Sequence, residues 1–252
     1  MVFLSSGVAI ADPQAPTPVA SIPNVTGVST SVALDSGFVS ALQSLNVAPS
    51  PWGKATVNKG VATFPIAGGH ITVYKPGEVN PYVQGILIHE GSGLKLTKGN
   101  TVVTLENFVI DPGNPATLTG KVLANGNVIA DSTTLFDLDG STLQPITTNA
   151  QANTATLQGT TVKLPDGAAA ALNKAFGTDA LKGGTTVGIA TIVVALPGQA
   201  QAPSGGVAAG DGGTSGVEHS GLLGAGAAAL LVAAGAAAYA VRRRETSSSS
   251  TR

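Results

Sequence analysis

The sequence predicts an all-β fold, an antiparallel β-sandwich or barrel-like domain with two short helices, plus one C-terminal transmembrane helix. Three observations carry that prediction. Short β-branched and apolar runs recur between residues 55 and 196, separated by glycine-, Asn-Gly-, Asp-Gly- and Pro-Gly-containing breaks, the punctuation of hairpin-linked strands. Only two segments interrupt the pattern with a helix start. Residues 222–241 hold twenty uncharged residues followed at once by Arg242, Arg243 and Arg244, enough to cross a hydrocarbon core of roughly 30 Å as a helix.

At the N-terminus, Ala9 and Ala11 fit an A-x-A cleavage site, but a basic n-region and a full apolar h-region are missing. Residues 1–11 therefore read as the remnant of a signal peptide whose start lies upstream. A Pro-rich lead spans 12–23, and the extracytoplasmic β domain spans 24–197. The strand runs are 55–66, 70–74, 82–89, 93–97, 101–110, 116–124, 127–138, 154–163 and 186–196. Asn125-Gly126, between VLA and NVIA, is the clearest hairpin turn, because both central residues of a type I′ turn need φ > 0. Runs at this spacing predict a sandwich or a barrel.

The two interruptions resemble each other. Thr30 to Leu42 aligns with Thr160 to Leu172, 130 residues further on. Both read as a short strand entering a helix, with Ser36 or Asp166 near the cap. A duplication would give matching units that pack their helices alike.

Residues 198–221 are Gly-, Ser- and Ala-rich and read as a flexible stalk with an r.m.s. span of roughly 25 Å; His219 lies in it. No Lys or Arg occurs between Lys182 and Arg242, so the positive-inside rule places residues 242–252 in the cytoplasm and the domain outside, in a single-pass arrangement. Half of the twenty residues in the span are Ala, which leaves the Leu and Val residues to drive insertion.

Composition narrows the chemistry. With 13 basic and 14 acidic residues the net charge is −1, and the lysines are scattered, so nothing supplies the basic surface that nucleic acid requires. The chain has no cysteine and three histidines, which excludes thiolate sites and disulfide staples. His89-Glu90 begins like an H-E-x-x-H zinc helix, but the fifth position is Gly93 and the context is strand and turn. Asp137-Leu138-Asp139-Gly140 opens like a calcium loop without the later ligands. Neither a G-x-S-x-G elbow nor a phosphate-binding glycine loop occurs. Hydrolysis of an envelope polymer would need paired carboxylates, and Asp111, Asp131, Asp137 and Asp139 cannot be paired from sequence.

One aromatic and imidazole group remains: His70, Tyr74, Tyr82 and His89. Phenolate or imidazole is a suitable axial ligand for haem iron. Strand alternation puts Val83, Leu87 and His89 on one face, Gln84, Ile86 and Ile88 on the other, and His70, Thr72 and Tyr74 together on the next strand. A hydrogen-bonded packing role is the competing reading for each.

The stretch Phe64 to Val122, with IHEGSGLKL, VTLENFVID and LTGKV, resembles the middle of the HtaA-type haem-uptake domain of actinobacterial surface proteins. It covers about a quarter of the chain. The resemblance implies a membrane-anchored surface domain in which Tyr and His hold haem, and His89 is the position that corresponds here. The aromatic-rich opening of that domain is absent, and Trp52 is the one tryptophan. The expected function is a non-enzymatic binding or structural module, anchored in the membrane through residues 222–241, with an envelope or extracellular ligand. A haem-binding receptor and an envelope-polymer hydrolase are the alternatives.

Overall fold

The computed structural model describes residues 15–197 of the 252. The signal remnant, the stalk, the membrane span and the cytoplasmic tail lie outside the described residues. Among the described residues no helix is long and apolar enough to cross a membrane.

In chain order the elements are β1 (Ala20–Ile22), β2 (Val28–Leu34), α1 (Ser36–Ser44), β3 (Ala48–Gly53), β4 (Thr56–Asn58), β5 (Val61–Pro65), β6 (Gly68–Val73), β7 (Val83–Lys98), β8 (Thr101–Asp111), β9 (Thr117–Ala124), β10 (Asn127–Asp139), β11 (Thr147–Asn149), β12 (Thr154–Lys163), α2 (Asp166–Phe176) and β13 (Thr186–Ala195). The thirteen strands form one sheet in the order β1-β6-β7-β8-β9-β10-β12-β13-β2-β5-β4, with β3 added on β7 and β11 on β12. Every pairing between these strands is antiparallel. The architecture is thus a curled half-barrel, not a two-layer sandwich.

Its curl has a local cause. Residues 61–73 are nearly continuous, yet β5 pairs with β2 while β6 pairs with β7. Between them the Ala67 amide donates to the Ile88 carbonyl at 2.7 Å. One segment therefore bridges two distant parts of the sheet, and the inner face closes around the core. Phe64 and Phe108 meet there edge to face, with ring centroids 5.1 Å apart, a geometry worth roughly 0.5–1.5 kcal/mol beyond area burial.

Several expectations change in detail. The run 55–66 is two strands, β4 and β5, turning at Lys59-Gly60, both with positive φ. The runs 82–89 and 93–97 are one sixteen-residue strand, β7. Gly91-Ser92-Gly93 is an irregularity inside that strand, where pairing with β8 slips between His89 and Gly93. It lets the first half of β7 pair with β6 and the second half with β3. Strand β3, APSPWG, escapes the sequence pattern because of its prolines. Pro49 and Pro51 lie two residues apart on a strand that pairs with β7 alone, where a missing N–H on the open side costs nothing. The lead 12–23 contributes β1. Asn125-Gly126 forms the expected turn, with φ of 49° and 81°.

The two similar segments, 30–42 and 160–172, each run from a strand into a helix. β2 and its neighbour β5 lie beside β12 and its neighbour β13 in the sheet. Each helix packs on two strands, α1 on β3 and β13 and α2 on β8 and β10. Ser36 and Asp166 each open their helix, next to the capping position. Asp35, not Ser36, caps α1, accepting from the Phe38 amide at 3.0 Å. Pro165 precedes α2 without a side-chain cap, Asp166 is the first helical residue, and Gly177 ends the helix in the left-handed region. Asp35→Ala is expected to cost about 1 kcal/mol by removing the cap, seen as a lower urea midpoint; an unchanged midpoint would show that packing alone sets this helix start.

Candidate functional site

The four singled-out residues are not brought together. His89 lies on the inner face of β7 and is 1% exposed. Its Nε2 is 2.8 Å from Thr30 Oγ1 on β2, across the inside of the curl. Nδ1 is buried without a hydrogen-bond partner. Burial lowers the imidazole pKa to about 4, opposed by attraction to the Phe108 carbonyl that stops short of a well-formed hydrogen bond. Nε2 either donates to or accepts from the Thr30 hydroxyl, according to the tautomer of the neutral ring. Ser92, also fully buried, donates its hydroxyl to the His89 main-chain carbonyl at 3.0 Å. His89 is a neutral tie between two walls of the barrel and lines neither of its two large cavities.

His70 is exposed and pairs with Ile86, on the face opposite to buried Ile71 and Val73. Tyr74 shares that register, and its amide donates to the Tyr82 carbonyl at 2.8 Å. Tyr82, thus the cross-strand neighbour of Tyr74, is half-buried at the edge of a cavity of about 390 Å³. Ile71, Leu87, Ile110, Leu157 and Ile192, from five strands of the inner face, form its floor. Asn80, Tyr82, Asn114, Asp139 and Thr160 supply its polar groups. Burial raises the Tyr82 pKa, so the phenol stays protonated and can donate a hydrogen bond. That works against the phenolate that would ligate haem iron. The size and the apolar floor with a few polar groups are those of a small-molecule site at a barrel mouth.

A second concavity of about 510 Å³ runs beside α2, between that helix and β8, β9 and β10. Sequence reading missed both cavities, because they are defined by which strands the curl brings together. The signal that pointed to one of them was Tyr82.

The carboxylates have structural employment. Asp139 accepts from Lys163 at 2.8 Å and from the Ser141 amide at 2.9 Å, and the Lys163 ammonium foremost holds its carboxyl far below the usual range. It caps the short 3-10 turn Gly140–Thr142 rather than opening a calcium loop. Asp111 accepts from the Gly113 amide at 2.8 Å, and Asp131 pairs with Lys121 at 3.5 Å while 88% exposed. Asp111 and Asp137 both lie opposite Thr117, on an exposed face of the sheet and not across a groove. Among the described residues no group of three or more His, Asp or Glu is placed to hold a metal ion.

No family model matches the chain, and no curated protein matches it. Among solved structures it is similar to the C-terminal domain of HtaA from Corynebacterium glutamicum, at 18% identity and a TM-score of 0.48, covering 68% of this chain and 97% of that one. The domain-swapped dimer of the H434A variant of the same domain matches at 16% identity and a TM-score of 0.41, covering 76% and 100%. The resemblance to HtaA-type domains is weak and partial.

Proposed function

We propose that the protein is a non-enzymatic binding module held on the outer side of a cell membrane by residues 222–241, with the cavity beside Tyr82 as its ligand site. The observation that supports this reading best is the cavity itself. Its floor is built from five strands of the sheet, and its polar groups come mainly from the loops and strand ends at the mouth. Such a site selects a small, mainly apolar ligand that accepts a hydrogen bond from Tyr82. No comparable support exists for haem held by His89, whose Nε2 is engaged with Thr30 in the packed core. Of Asp111, Asp131, Asp137 and Asp139, only Asp139 lines the cavity beside Tyr82, and it is held in an ion pair with Lys163.

Display outside the membrane rests on the sequence of residues 198–252, where an uncharged span is followed by Arg242 to Arg244. The full chain is expected to fractionate with membranes, and protease added to intact cells is expected to release the β domain by cutting within 198–221. Recovery in the soluble fraction, or full protection of the domain in intact cells, would overturn the reading.

A further inference from the structure

A concavity stays open beside α2 although the helix is seated on the core. Ala169 and Phe176 are the buried residues of α2, and the half-buried Ala168, Leu172 and Ala175 also pack against the core. Its flank carries Ala168, Ala171 and Ala175 at helical spacing, and these line the open side toward the sheet. Larger side chains would fill the space; small ones leave about 510 Å³ bounded by β8, β9 and β10. The wall has no charged residue, and its side-chain polar groups are the hydroxyls of Thr133 and Thr134.

Two further features bear on what fits. Ile129 lines the concavity and is nevertheless 65% exposed, beside Val128 at 49%. Apolar surface thus continues from the inner wall out to the free edge of β10. At the end of α2, Lys98 donates to the Phe176 carbonyl at 2.8 Å, one residue past Ala175, and Lys174 stands in the same last turn. Each ammonium has three donors, so Lys98 keeps two for another acceptor, and the pair offsets the negative end of the helix dipole.

We propose that this groove binds the hydrocarbon chain of a long-chain carboxylic acid, with the carboxylate met by Lys98 and Lys174. The inference rests on the binding-module reading and adds a second site with its own ligand class. The charge-free wall takes the chain, the exposed aliphatics admit it from a lipid phase, and the two cations fix its direction.

The test uses membranes carrying the full chain and a photoreactive long-chain fatty acid with its methyl ester as the neutral control. Crosslinks are expected in residues 164–176 and 128–135. They should fall by about tenfold in Ala171→Phe, where the ring fills the groove, and likewise in Ala168→Leu. Lys98→Ala should weaken labelling by the acid and leave the ester unchanged. Crosslinks confined to other segments, links between two copies through this groove, or undiminished labelling in both filled variants would overturn the proposal, as would equal labelling of wild type by acid and ester. Protease release from the same cells is read in parallel. An outward domain without labelling sinks this inference alone, whereas a domain that protease cannot reach sinks the binding-module reading.

Discussion

Lowering the pH from 7 to 4 is expected to remove about 3 kcal/mol of folding stability through His89 alone. Its imidazole is buried and neutral, with a pKa lowered from 6.5 to about 4. The unfolded chain takes up a proton near 6.5, while the folded chain resists until about 4. The unfolded state therefore binds more protons throughout that interval. Stability from this group is complete above 6.5, falls as the pH drops toward 4, and changes no further below it. Among the described residues His89 takes part in no ion pair, so no charged partner offsets the loss. Urea unfolding at a series of pH values checks this. His89→Gln keeps a polar group that can reach Thr30 and cannot titrate, so its stability curve should be flatter than wild type between pH 4 and 6.5. Parallel curves would show that another group carries the acid sensitivity.

The second large effect concerns Gly93. A Cβ there would fall inside the Leu105 carbonyl and close to Glu106 Cα at 2.8 Å, both backbone atoms of β8. That backbone cannot retreat, because Leu94↔Leu105 and Gly93↔Glu106 are the pairs at which β7 resumes its register after the irregularity. Gly93→Ala should cost about 3 kcal/mol as an overpacking change in a constrained place. Gly126→Ala makes a useful contrast. Nothing lies within 4 Å of its Cβ position, but its φ is 81°, so only backbone strain of about 1 kcal/mol is expected. Equal losses in the two variants would mean that close strand approach is not what Gly93 provides.

How much of this was legible beforehand depended on the range of the physics involved. Local signals gave the antiparallel β class, the Asn125-Gly126 turn, the two helices, and the strand alternation that puts Leu87 and His89 on one face. The inner face was legible as a face. What it encloses was not, since Thr30 lies 59 residues from His89 and only the crossing of residues 61–73 between two parts of the sheet brings them together. For the same reason the IHEGSG stretch read as a strand end. Two glycines on either side of Ser92 suggest a turn locally, whereas the partner strands β3 and β8 keep the segment within one strand despite its irregularity. Strand β3 was hidden by prolines that are costly in a central strand and harmless at an edge. The Tyr82 cavity is built from residues of six strands and three loops, and no linear pattern encodes such a junction.

His89 is an internal tie, and the proposed ligand sites are the cavities away from it. Titrating hemin into the wild-type protein and His89→Gln at pH 7, and following the Soret band, tests this most directly. The same spectrum is expected for both proteins at every hemin concentration, with near-ultraviolet circular dichroism confirming that the variant is folded. A shifted Soret band in the wild type that disappears in a folded His89→Gln would contradict it.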